Sequence, residues 1–586
     1  MTRDWWRRVP DASAVAGGVG WIGLAVIDAF GPIEGVLALA MLVLVPLGVG
    51  LADAPRRDGS RTRWYQVTVA FQPAAALSGV ASLAVDQGLT ATVLAVPWFV
   101  LTALVAGFGL WRLLQRGPWP LSELALDAGL VYVAVGGGAL LLDRVGISLF
   151  FEPILITLTA VHFHYAGFAL PVVAGLAGRV AIGDRFERTR QVTTGIIAVG
   201  PGIIATGITA AALQVPFAGV VEFASVAFFT TAVALFSLAV LVDVLPGRES
   251  GIQQLFVGTA SLAVTASMGF AVLYGLARWT GGTYFGIHAT AFTPMVRYHG
   301  QLNAFGFALL ALVGWRLAPP ESTARAPGIP FSRLSGDHRI GRDFLDRRGY
   351  ATHDAASGMM ASLDDYAWDG FDPSAVAPSV RRFYEHSEEY LLSVEPDWNR
   401  PWGPLVPVYR LFATRMEQLT LPLSTVGPKA ALRGTVVGVD GPDEYAGSRA
   451  WIRSNAHATD GDDQMTYVAT YDRYVADGTA YLRATFPLPG CNLTGILRVE
   501  NTGSEAGGLR LSSYAVPGNA DDAGLSLVVR GFGVRLPLDE TLVVEPVDGG
   551  SGDGTTGVTA VHEITLLGHR LVTLEYDVAL APEHSD

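Results

Sequence analysis

The chain has 586 residues, 50% of them apolar and 16% charged, with a formal net charge of −13. Soluble domains carry about 25% charged residues, whereas here residues 1–318 hold 18 Arg, no Lys and 16 Asp+Glu, and residues 319–586 hold 22 Lys+Arg against 37 Asp+Glu. A single soluble enzyme is excluded; the lone Cys491 excludes a disulfide scaffold or cysteine-rich metal centre, and the acidic rear half argues against nucleic acid as a partner.

A helix needs about 20 apolar residues to cross a bilayer core about 30 Å thick. Ten runs meet that length: 13–31, 33–52, 64–86, 89–111, 121–142, 151–177, 191–213, 219–244, 252–276 and 296–317. Within the first, Gly18-x-Gly20-x-x-Gly23 formally matches a dinucleotide fingerprint, but no strand precedes it, so it is read as a site of close helix packing. Prolines 46, 73, 97, 171 and 201 fall inside the spans, which membrane helices tolerate when neighbours re-satisfy the freed carbonyls. The amino terminus (Arg3, Arg7, Arg8) and the loops carrying Arg56, Arg57, Arg61 and Arg63, then Arg112 and Arg116, then Arg179, Arg185, Arg188 and Arg190, then Arg248, all fall on one side of a ten-span bundle. The positive-inside rule makes this a multi-pass cell-membrane protein with both termini in the cytoplasm and the lipid bilayer as its first partner.

The expected organisation is a polytopic α-helical membrane domain over 1–317, a linker over 318–338, a helical and aromatic segment over 339–424, and an antiparallel β-rich cytoplasmic domain over 425–586. From about residue 430 the hydrophobic period becomes two. Met465-Thr-Tyr-Val-Ala-Thr-Tyr-Asp-Arg-Tyr-Val and Thr479-Ala-Tyr-Leu-Arg-Ala-Thr-Phe flank the hairpin turn Asp477-Gly478. Further strands are expected near 432–439, 447–453, 493–500, 508–514, 525–535, 541–546, 559–566 and 570–580, curled into a sheet or closed barrel. The rear half as a whole is thus a soluble α+β domain dominated by antiparallel sheet.

Ionisable groups deep in a membrane cost several kcal/mol unless paired, so they mark candidate sites. His162 and His164 lie halfway along the sixth span, but two residues apart on a helix point about 200° away from each other, so they cannot share one ligand. Partners must come from other spans: His299, Gln301 and Asn303 in the tenth, Asp127 in the fifth and Glu222 in the eighth. His162 would sit about 16 Å and Asn303 about 10 Å below the outer surface, which allows a shared outer-half pocket. Interhelical hydrogen bonding that only fixes packing is the alternative. Asp127 and Glu222 read either as a proton or cation relay or as ordinary ion pairs, Glu222 with Arg297. The acidic domain holds no nucleophile elbow, P-loop, metalloprotease helix or paired-cysteine motif, and the residues leave the identity of any cofactor or metal open.

His162-Phe-His-Tyr-Ala-Gly-Phe168 and His299-Gly-Gln-Leu-Asn-Ala-Phe-Gly-Phe307 resemble the two hallmark membrane motifs of the YndJ-like family. The tail is similar to that of its longer members at Phe383-Tyr-Glu…Trp398, Pro487-Leu-Pro-Gly-Cys-Asn-Leu-Thr-Gly-Ile-Leu497, Leu536-Pro-Leu-Asp-Glu-Thr541 and His569-Arg-Leu-Val-Thr-Leu574. The resemblance implies a polytopic bacterial or archaeal membrane protein, sometimes called a transporter, and brings no catalytic residues with it. Three functional readings follow: a pocket that binds or passes a small solute or ion, a haem- or metal-binding redox protein, or a lipid-binding or membrane-assembly protein.

Two measurements check this reading. A reporter fused after Asp586 is expected to register as cytoplasmic, and an external signal overturns the span count. Lys429 is the only lysine beside 39 arginines and many carboxylates, a composition suited to hydration in high salt. Dilution to low salt is therefore expected to unfold the rear domain, seen as loss of near-ultraviolet dichroism.

Overall fold

The computed structural model describes residues 5–55, 60–180, 185–288, 290, 292–322, 329–352, 356–420, 430–441, 447–456, 466–516, 521–547 and 557–582. Arg3, Arg56, Arg57, Lys429, Met465, Asp586 and the middle of the expected linker, 323–328, lie outside the described residues. The chain divides into two units, Met1–Ala326 and Pro327–Asp586.

The first unit holds long helices α1 (Trp5–Val26), α2 (Pro32–Leu51), α3 (Arg63–Leu83), α4 (Leu89–Arg116), α5 (Leu121–Val145), α6 (Pro153–Gly178), α7 (Glu187–Ala212), α8 (Ala218–Gly247), α9 (Gly251–Thr280) and α10 (292–317). Eight of these are long and apolar enough to cross a membrane; α3 and α10 are the exceptions. Polar side chains lower their hydropathy: Gln66 and Gln72 in α3, and Arg297, His299, Gln301 and Asn303 in α10. Both are nonetheless integral to the bundle. Trp64 Nε1 donates to the Leu104 carbonyl at 2.9 Å and Ser78 Oγ to that of Leu94 at 2.7 Å, which lays α3 antiparallel along α4. Phe307, Ala311 and Trp315 of α10 are buried in the shared core. The glycine reading in α1 is corrected: a Cβ on Gly20 or Gly23 would meet nothing within 4 Å, and the close approach is made by Gly17 against the Leu42 backbone.

Four of the helices contain wide, π-type turns: Ala40–Leu44 in α2, Tyr165–Ala169 in α6, Val240–Val244 in α8, and Met295–Gly300 with Leu302–Leu309 in α10. The first three each end two residues before a proline: Pro46, Pro171 and Pro246. A proline ring collides with the carbonyl four residues back and offers no N–H, and widening the preceding turn relieves both problems.

In the second unit, short helices α11 (Phe344–Arg348), α12 (Pro378–Glu385) and α13 (Val406–Met416) accompany strands β1 (Tyr390–Trp398), β2 (Ala430–Val439), β3 (Arg449–Asn455), β4 (Thr466–Ala476), β5 (Thr479–Leu488), β6 (Cys491–Asn501), β7 (Leu509–Ser512), β8 (Gly524–Val529), β9 (Phe532–Arg535), β10 (Leu538–Pro546), β11 (Val558–Leu566) and β12 (His569–Leu580). Their pairings run β7-β10-β11-β12-β1-β2-β3-β4-β5-β6, and β6 pairs β7 again, closing a ten-stranded antiparallel barrel. The first half of β6 instead carries the β8–β9 hairpin. The expected strand 525–535 is therefore two strands around the turn Arg530-Gly531, where both residues have positive φ. The segment 339–424, expected to be helical, contains β1, whose Tyr390, Leu392 and Val394 face the core with period two.

The barrel core gathers the inward residues of the ten barrel strands, and α12 adds Val380, Phe383 and Tyr384 to it. Phe383 meets Tyr390 and Trp451 edge-on, at 5.5 Å and 6.1 Å. A smaller core on the outer sheet face takes Leu334, Ile340, Phe344 and Leu345. Residues 329–338 are consequently tied to the barrel rather than free as a linker: the buried Asn492 amide donates to the carbonyls of Ser332 (3.0 Å) and Leu334 (2.8 Å).

Polar order in the bundle concentrates in one buried cluster. Arg112 and Arg116 end α4, and Glu123 and Asp127 begin α5, each pair four apart and so on one helix face. Glu123 takes Arg112 at 2.6 Å and Arg179, just beyond α6, at 2.6 Å. Asp127 is ion-paired with Arg112 at 2.7 Å and with Arg116. The side chains of Glu123 and Asp127 are fully buried. Arg112 also donates to the Ala52 carbonyl, and Arg179 to that of Leu51 at 3.3 Å, so both cap the C-terminal end of α2, where the helix dipole favours cations. Glu123→Ala would leave Arg179 buried without its carboxylate, a change that costs about 3–5 kcal/mol. The expected result is a clearly lower melting temperature in detergent, partly recovered by adding Arg179→Met; an unchanged melting temperature overturns the assignment.

Candidate functional site

The paired-histidine motif of α6 divides its two rings between opposite faces. His164 turns inward. Its Nδ1–H donates to the Ala160 carbonyl at 2.7 Å, and its Nε2 accepts from Trp98 Nε1 of α4 at 3.1 Å, with the two rings stacked at 5.7 Å. It fits there because α5 offers Gly136, where a Cβ would come within 2.7 Å of the imidazole. With both nitrogens satisfied and no exposure, His164 locks α4, α5 and α6 together.

His162 faces the other way, toward α10. Its Nδ1–H donates to the Leu158 carbonyl at 2.7 Å, and its ring lies 6.3 Å from that of His299, centroid to centroid. His299 Nδ1–H donates to the Ser267 carbonyl of α9 at 2.9 Å. Ser267 Oγ, 3.0 Å from the same nitrogen, accepts from Asn303 Nδ2 at 2.5 Å, and that amide also donates to the His299 carbonyl at 3.1 Å. A backbone carbonyl at Nδ1 sets each ring's tautomer and leaves Nε2 as an acceptor. His162 Nε2 has no partner among the described residues, and His299 Nε2 has a long 3.4 Å contact with Asn303 Nδ2. Two imidazole acceptors thus face one another across α6 and α10, beside the wide turns at which those helices pack together.

The remaining sequence candidates lie elsewhere. Asp127 belongs to the ion-pair cluster, nine residues before Gly136 and so about 13 Å along α5 from the level of His164. Glu222 pairs with Arg278 at 3.1 Å and not with Arg297, because α9 rather than α10 runs beside it. Arg297 lies over the Tyr298 ring at 5.9 Å, and Gln301 is exposed on the bundle surface. Among the described residues no three His, Cys, Asp or Glu side chains gather as metal ligands. A cavity of about 10 Å³ between α6, α8, α9 and α10 is mostly apolar and has room for roughly one water.

Ser267 and Trp98 escaped the sequence reading because a serine and a tryptophan in apolar spans carry no signal of their own. Arg112, Arg116, Glu123 and Asp127 did carry one: matched i, i+4 pairs of opposite charge on either side of the four-residue loop 117–120. In the second unit, His562 Nε2 meets Glu540 at 2.8 Å, whereas His569 is exposed.

The sequence pattern of the family described as YndJ-like protein matches residues 35–307, a stretch that contains both histidine motifs. The chain is 28% identical over 511 residues, covering 86% of each protein, to the uncharacterized membrane protein YndJ of Bacillus subtilis (strain 168). No solved structure matches. The family pattern runs from α2 to α10 and the likeness to the Bacillus protein extends into the second unit, so the chain is similar to YndJ-like membrane proteins in both.

Proposed function

We propose that this multi-pass membrane protein binds and passes a small solute or ion through the outer half of its bundle, at a site formed by His162, His299, Ser267 and Asn303, with the barrel on the cytoplasmic side as a sensing or regulatory domain. The observation that carries this reading is the pair of facing imidazoles 6.3 Å apart, each with its Nδ1 committed to a backbone carbonyl. Such rings are preset to accept a hydrogen bond, a proton or a cation at Nε2. Their position beside interrupted helix geometry also supports it, since transport sites in membranes are built where helices depart from the regular α-form. The arginine-rich loops favour the end bearing Arg112, Arg116 and Arg179 as the cytoplasmic one.

Vesicles loaded with a pH dye, and parallel vesicles tested with small monovalent cations, measure the expected flux. His162→Ala and His299→Ala are each expected to reduce it about tenfold or more while leaving the yield of folded, inserted protein unchanged. His164→Ala is expected to lower thermal stability instead. Equal loss of folded protein from all three favours packing alone, and a Soret band or stoichiometric metal in the purified protein replaces transport with a redox role.

A further inference from the structure

We propose that α13 and the turn before it dock on the surface of an anionic lipid bilayer. Between Arg400 and Met416 the chain carries Arg400, Arg410 and Arg415 and no acidic residue, inside a half-chain that holds 37 Asp+Glu against 22 Lys+Arg. Leu405, Val408, Leu411 and Phe412 are 54%, 51%, 65% and 59% exposed. Their spacing of three, three and four places them on one side of the helix. Elsewhere on the described barrel surface, exposed large apolar residues such as Val475, Val529, Val561 and Leu567 are scattered, the ordinary condition of a protein surface.

The opposite side of α13 is already engaged, so the apolar stripe is held outward. Ala413 is buried, the Tyr409 ring packs on Trp398 at 5.8 Å, and Tyr409 Oη donates to the Leu419 carbonyl. The Met416 carbonyl accepts from the Ile340 amide at 2.9 Å, joining the helix end to the segment that packs on the outer sheet face. Trp402 in the preceding turn is an aromatic of the type enriched at membrane interfaces. Apolar side chains interspersed with arginine are the composition of a helix that lies in the headgroup region. Arginine beside the apolar stripe selects anionic lipid, and a second acidic copy of this domain is the rival occupant that the iodide measurement below separates from it. Anchorage of the same chain in a membrane keeps this surface at high effective concentration near lipid.

The test uses the full chain in nanodiscs, with Cys491→Ser and a single bimane-labelled cysteine at Leu411→Cys or, as control, at Asp477→Cys in the hairpin turn. In discs containing brominated phosphatidylglycerol, quenching at 411 is expected to exceed that at 477 by about threefold. It is expected to fall to the control level in zwitterionic brominated phosphatidylcholine and in the Arg410→Glu/Arg415→Glu chain. Equal quenching at both positions in every disc overturns the proposal. So does a 411 label shielded from aqueous iodide in detergent, because protein then covers the stripe. Hydrogen exchange of residues 405–416 in the unsubstituted chain provides the same comparison without labels: protection in anionic but not zwitterionic discs supports docking, and identical exchange overturns it.

Discussion

Three guanidinium groups and two carboxylates share one buried knot at the ends of α2, α4, α5 and α6, and the arrangement of the bundle follows from how they satisfy one another. None of these charges is tolerable alone in an apolar interior. Glu123 draws Arg112 and Arg179 to one point, and Asp127 draws Arg112 and Arg116 to another on the same face of α5. The surplus donors reach the last carbonyls of α2. Rotating or sliding any one of the four helices would strand a charge, so their relative register is set here. Farther along α5 that register brings Gly136 opposite His164 and lets Trp98 reach its Nε2. Once His164 is held inward, the 200° helical offset directs His162 outward toward α10.

The second determinant is proline. Pro171 widens the turn of α6 immediately after the histidine pair, and α10 is widened without a following proline across the segment containing His299 and Asn303. A wide turn displaces the backbone hydrogen-bonding ladder and exposes carbonyls to side chains, and such turns recur at functional sites. In α9 the partner is Ser267, whose carbonyl and hydroxyl both address His299. The site is thus built from backbone acceptors and short polar side chains rather than from buried charge; the knot lies about 13 Å along α5 from the level of His164.

The helices were legible in the sequence because hydropathy is a local property: the ten apolar runs coincide with α1 to α10, with ends displaced by a few residues. The start of α1 at Trp5 was not visible, since its first two turns carry Trp5, Trp6, Arg7 and Arg8 and offer no apolar run. In the barrel, alternating strands flanking Asp477-Gly478 declare themselves, whereas β1 does not. Its outward Leu391 interrupts the polar half of the alternation, and its partners are β2 and the distant β12. The histidine pair was legible as a problem, two rings that could not share a ligand. Its solution depended on Ser267, Trp98 and Gly136, residues whose relevance is created only by packing.

Closure of the barrel also imposes an order on its making. β1 and β11 are neighbours only through β12, so residues 390–398 wait until residues 569–580 have been synthesised before their sheet edge is covered. For that interval the nascent domain presents an unpaired edge of apolar alternation, the condition that invites pairing with another chain. The helices of the first unit leave the ribosome before any strand of the barrel. Insertion of those helices therefore begins while the barrel is still open, and the chain is tethered to the bilayer when its last strand arrives.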